Sequence, residues 1–92
     1  MLACSVVIHG RVQGVGYRMA MVDAARTRGI AGWVRNRRDG SVEAVVQGDE
    51  ASVEQMLEWC RRGPAGSRVT GLATRELNAD PALRTFDLRP TE

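Results

Sequence analysis

The sequence predicts a two-layer α+β sandwich, with two helices on one face of an antiparallel sheet and a short strand at the C-terminal end. Three observations lead there. The hydrophobic period alternates between 2 and 3.6 in the order strand, helix, strand, strand, helix, strand. An Asp39-Gly40 pair separates the two middle strands, as in a hairpin. Gly29 and Gly63-Pro64 fall where the two helical patterns stop. That order is the split βαβ arrangement. The 92 residues suffice for one such core, so a single domain over 1–92 is expected.

The first strand is read over residues 4–12. Val6, Ile8, Gly10 and Val12 share one face, and Val7, His9 and Arg11 the other. His9 has no evident catalytic partner and reads as a surface residue. From Arg18 to Arg28 the period becomes helical. Tyr17, Met21, Ala24 and Ala25 form one stripe, with Met19 and Met21 taken as core fillers. Residues 30–36 and 41–47 make the hairpin strands. Asp49 is placed to cap a second helix whose stripe is Val53, Met56, Leu57 and Cys60, with Trp59 at its border. Arg61 and Arg62 suit the dipole at that helix's end. Residues 68–77 alternate weakly as a fourth strand, and 85–89 form the short last one.

Composition narrows the function classes. At 43% hydrophobic and 26% charged the chain is an ordinary globular one. No apolar run approaches the roughly 18 residues of a membrane span, and the N-terminus lacks the basic start of a signal peptide, so a cytoplasmic location is expected. Cys4 and Cys60 are far apart and read as free buried thiols. A lone His9 and unclustered carboxylates leave little to build a metal site on; no metal and no other cofactor is expected. All basic residues are arginine, seven against three acids in residues 1–46 and six against eight in 47–92. A net charge of only +2 argues against a general nucleic-acid binder.

The positive half contains the most informative stretch, Gly10-Arg11-Val12-Gln13-Gly14-Val15-Gly16-Tyr17-Arg18. A glycine-spaced loop between a strand and a helix can aim successive N–H groups into one concavity, and the helix N-terminus adds partial positive charge. Arg18 brings a permanent cation to the same place. The spacing is neither the nucleotide P-loop nor the dinucleotide fingerprint. From the residues alone the loop is either a tight turn or a phosphate cradle. Topology adds Asn36. The first strand runs up, a helix of about eleven residues, roughly 16 Å, returns, and the second strand runs up again. Asn36 therefore ends on the sheet edge that carries the loop, either as a polar residue opening a turn or as an amide able to orient water.

Those segments, with Gly32-Trp33-Val34-Arg35-Asn36 and Asp39-Gly40-Ser41-Val42-Glu43, resemble the signature of the acylphosphatases, and the resemblance covers nearly the whole chain. It implies a ferredoxin-like fold and metal-free hydrolysis of acyl phosphates to a carboxylate and inorganic phosphate. It further implies that Arg18 and Asn36 are the catalytic residues, and that the backbone amides of Gln13, Gly14, Val15, Gly16 and Tyr17 hold the phosphate together with Arg18. Tyr17 stands where many relatives carry Phe. Pro90-Thr91-Glu92 run on past the last strand where many relatives end near an aromatic residue, a departure that puts the anchoring of the C-terminal strand in question and not the chemistry. The competing class is a noncatalytic anion-binding module of the same fold. The expected partner is a small acyl phosphate, with no nucleic acid, no membrane and a monomeric state.

Overall fold

The computed structural model describes all residues, 1–92, and arranges them as five strands and two helices: β1 Leu2–Arg11, α1 Tyr17–Thr27, β2 Ala31–Asn36, β3 Val42–Gly48, α2 Glu50–Arg62, β4 Arg68–Leu77 and β5 Phe86–Leu88. The sheet order is β4-β1-β3-β2-β5. Alternation places Val6 and Ile8 of β1, Val34 of β2, and Val42, Ala44 and Val46 of β3 on one face, all inaccessible to solvent. Tyr17, Met21, Ala24 and Ala25 of α1 and Val53, Met56 and Cys60 of α2 pack onto that face, as their helical spacing requires. Val22 joins them, and Leu57 and Trp59 lie at the margin. None of the helices is long and apolar enough to cross a membrane.

Three expectations are corrected. The sheet is mixed, because β5 pairs parallel to β2 whereas every other pairing is antiparallel. The cause is the return path. β4 ends beside Ala3, and the chain then passes along that edge of the sheet, where buried Gln47 grips the backbone of Asp80 by donating to its carbonyl at 2.9 Å and accepting from its N–H at 2.8 Å. The crossing segment delivers β5 to the starting end of β2, so both strands run the same way.

Met19 is the second correction. It is 62% exposed, not core. Two residues along a helix is about 200° of rotation, which turns Met19 away from the face that Tyr17 and Met21 occupy. The third concerns the C-terminal residues, which are anchored. Arg89 N–H donates to Val34 O at 2.9 Å, Glu92 N–H to Asn36 O at 3.0 Å, and Arg38 N–H to Glu92 O at 2.9 Å. The Glu92 carboxylate also meets the Arg35 guanidinium at 3.1 Å. These bonds continue the edge of β2 beyond β5.

Gly10 belongs to β1 and not to the loop. The register with β4 shifts between His9 and Gly10, and a Cβ at Gly10 would run into the carbonyl of Arg68. Its lack of a side chain serves strand packing.

The Asp49 carboxylate caps α2, accepting from Ser52 N–H at 2.8 Å. Hydrogen bonds from the Ser52 side chain and N–H hold its carboxyl below the usual carboxylate range. A depressed native pKa stabilises the fold above the unfolded-state value and is lost as pH falls through the native value. Asn at this position keeps the capping oxygen but has no proton to take up. We therefore expect urea midpoints of the wild type to fall more steeply below about pH 4 than those of Asp49→Asn. Identical acid slopes in the two proteins would contradict the assignment.

Candidate active site

The loop between β1 and α1 is held open by glycine. Gly14 and Gly16 both have positive φ, and Gly16, at φ 77° and ψ 17°, is the residue that caps α1. No side chain caps the helix and no acidic residue occupies its first turn. The first N–H of this region to find a backbone acceptor is that of Ala20, which donates to Gly16 O at 3.1 Å. From Gln13 to Met19, no main-chain N–H has an acceptor in the protein. A run of open donors at a helix N-terminus has the chemistry to receive an anion.

These residues surround a cavity of about 130 Å³ lined by Val12, Gln13, Gly14, Gly16, Tyr17, Arg18, Met19 and Asn36. Strands β1 and β2 are both antiparallel to β3, so their ends lie on one edge and Asn36 meets the loop as the topology requires. Arg18, in the first turn of α1, enters no ion pair within the chain. Its charge is available to the cavity. Asn36 Oδ1 is buried and is the only buried side-chain polar atom without a hydrogen-bond partner. An unpartnered buried acceptor is costly, and at a cavity wall it is a place for a donor from outside the protein. Val15, also expected to bind phosphate, does not line the cavity; its side chain packs against the core and only its main chain is free.

Tyr17 fixes the base of the site. Its ring is buried against Trp59, with centroids 5.5 Å apart, and its hydroxyl donates to the carbonyl of Cys60 at 2.7 Å. In a continuing helix that carbonyl would accept from residue 64, but Pro64 has no N–H. The phenol thus satisfies an orphan carbonyl at the end of α2 and ties the start of α1 to it. Burial, with Cys60 alongside, raises the phenol's pKa above its ordinary value. Burial likewise pushes the Cys60 thiol up to about 12, and raises that of Cys4. Neither cysteine is a nucleophile at neutral pH.

Two features of this site lie outside the expectations from sequence. Met19 stands at its rim, which the helical angle from Tyr17 would have shown. The Gln13 side chain reaches out of the loop to the β2–β3 turn and donates to Arg37 O at 2.8 Å and Ser41 O at 2.9 Å. Nothing in sequence spacing signals that reach across 24 residues. The largest hollow, about 410 Å³, lies at the opposite sheet end beside Arg26 and Asp87. There Arg26 is already committed to the Phe86 carbonyl at 3.1 Å. No group of three or more His, Cys, Asp or Glu gathers anywhere in the chain.

Fold and site together define a small α+β domain with a run of unpaired main-chain donors at the start of its first helix. The comparisons specify it further. The family model of the acylphosphatases matches residues 4–88. A Ralstonia nicotianae protein named acylphosphatase 2 is 50% identical over 86 residues, covering 94% of this chain and 90% of that one. The crystal structure of an acylphosphatase from Bacillus subtilis superposes with a TM-score of 0.93 at 35% identity, covering 97% and 99% of the two chains. An acylphosphatase from Coxiella burnetii gives 0.90 at 30% identity, covering 96% and 92%. The chain belongs to the acylphosphatase family.

Removing the Tyr17 hydroxyl leaves the Cys60 carbonyl buried and unpaired. Tyr17→Phe should therefore lower stability by about 1 kcal/mol, seen as a melting temperature roughly 4–8 °C lower for a domain of this size. An unchanged melting temperature would show that the hydroxyl contributes nothing.

Proposed function

We propose that the protein hydrolyses acyl phosphates by holding the phosphoryl group on the main-chain amides of Gln13 to Tyr17 and on Arg18, while Asn36 orients the attacking water. The observation that carries this reading is the unpartnered Oδ1 of Asn36 on the wall of a cavity that also holds open N–H groups and an unpaired arginine. Donors there suit the phosphoryl oxygens. The lone acceptor suits the proton of a water.

The reaction needs little else. Water oxygen attacks phosphorus, the bond from phosphorus to the acyl oxygen breaks, and its electrons leave on a carboxylate. The water's protons pass to phosphate and solvent. Carboxylic acids have pKa values near 4, so the leaving group departs as a stable anion and needs no general acid. Phosphoryl transfer is governed by positioning and by stabilising charge on the phosphoryl oxygens. Fixed amides and the guanidinium supply both without reorganising. No metal enters this scheme.

Several finer points belong to the same proposal. One domain over 1–92 carries the activity. The protein acts as a monomer, because its only exposed large hydrophobic residues are Met1, Met19 and Leu88. It works in the cytoplasm, where free Cys4 and Cys60 fit a reducing compartment.

The test is benzoyl phosphate hydrolysis at neutral pH in the presence of a metal chelator, comparing wild type, Arg18→Ala and Asn36→Ala. We expect chelator-insensitive turnover in the wild type. Arg18→Ala should lose at least about 10²-fold to 10³-fold in kcat, the effect of removing one preorganised charge-stabilising donor. Asn36→Ala should lose kcat with phosphate affinity kept. Near-normal turnover by folded Arg18→Ala would refute the assignment.

A further inference from the structure

We propose that the side chain of Gln13 is a positioning residue that locks the phosphate cradle to the strand end carrying Asn36. This rests on the reading that Asn36 directs the water. Both atoms facing the Gln13 amide are carbonyl oxygens, Arg37 O at 2.8 Å and Ser41 O at 2.9 Å, so the group between them must be the NH₂, with one proton for each. Arg37 directly follows Asn36, and Ser41 directly precedes β3. One side chain thus spans the stem of the hairpin. The main-chain N–H of the same residue is one of the open amides.

The turn does not need Gln13 for its own integrity. Arg37 N–H donates to Ser41 O at 2.9 Å, and Gly40 N–H to Arg37 O at 3.1 Å. The Asp39 carboxylate accepts from Ser41 N–H at 2.9 Å and holds the Ser41 hydroxyl as well. With both carbonyls already bonded inside the turn, the two bonds from Gln13 do something else. They join a loop after β1 to a strand end 24 residues away. The cradle sets where phosphorus lies and Asn36 sets where the water lies. Gln13 fixes the vector between them.

This role separates from phosphate binding in a defined way. Gln13→Met keeps the length and bulk of the side chain but has no donor. The amides and Arg18 remain, so phosphate affinity should stay within a few-fold of wild type. Misalignment of the reacting pair by a fraction of the cavity should cost kcat by about 10-fold to 10²-fold. Gln13→Glu supplies a distinct signature. Its carboxylate would face two carbonyl oxygens, which raises its pKa, and only the protonated acid offers an O–H to one of them. Its kcat should rise as pH falls, a limb absent from wild type and from Gln13→Met.

The experiment measures kcat, KM and phosphate affinity of wild type, Gln13→Met and Gln13→Glu between about pH 5 and 8, the range in which that carboxyl would titrate. Loss of kcat at nearly constant phosphate affinity, with the acid limb confined to Gln13→Glu, is the expected result. Wild-type kcat in Gln13→Met, parallel loss of kcat and phosphate affinity, or a Gln13→Glu profile parallel to wild type would each overturn the proposal. A folded wild type with no turnover would refute the proposed function instead. The brace is then judged by NMR: the Asn36 side-chain amide signal shifts in Gln13→Met if Gln13 positions it, and stays in place if it does not.

Discussion

The structure depends on a run of main-chain N–H groups that have no acceptor. A helix always leaves its first donors unpaired, and most helices answer with a capping side chain. In α1 the cap is Gly16, which offers none, and no acid sits in the first turn. The left-handed conformation at Gly16 is open to glycine at little cost and would strain most other residues. The chain thus starts α1 without neutralising its positive end. Arg18 adds another positive charge to it, a poor arrangement for helix stability but a fitting one for an anion.

Much of the remaining structure stabilises that region from outside. Tyr17 plugs into the core and bonds the end of α2, so α1 is anchored one residue after the loop. The other wall is Asn36, delivered by the parallel course of β1 and β2 with β3 between them. The strand edge at Asn36 is lengthened by Glu92, whose N–H bonds the Asn36 carbonyl. Arg35 draws together Glu43 at 2.7 Å and Glu92 at 3.1 Å on the outer face of the sheet, beside Trp33. Asn36 is therefore held through its backbone while its side-chain oxygen keeps no partner.

The fold was legible in the sequence because its signals are local. Alternation marked the β1 core face through Val6 and Ile8, and helical spacing marked Tyr17 and Met21. The Asp49 cap and the Gly63 stop were chemical signals of helix ends. The juxtaposition of Asn36 with the loop also followed, since element order and strand direction determine it. What could not be read depends on geometry without a period. The parallel placement of β5 turns on Gln47 gripping Asp80, a contact between residues 33 apart. Gln13 could be assigned a main-chain role from its place in the motif, but the reach of its side chain depends on where the β2–β3 turn sits. Met19 was a different kind of miss, because apolar character outweighed the helical angle that puts it on the outside.

The central claim is that the open amides and Arg18 form one anion site with Asn36 as its acceptor wall. The most direct measurement is a titration of the ¹⁵N-labelled protein with inorganic phosphate, followed by amide NMR. The account predicts saturable shifts concentrated in the main-chain N–H signals of Gln13 to Met19 and in the Asn36 side-chain amide, with the rest of the sheet silent. Shifts centred instead on the hollow beside Arg26 and Asp87, or no saturable shift in the loop, would contradict it.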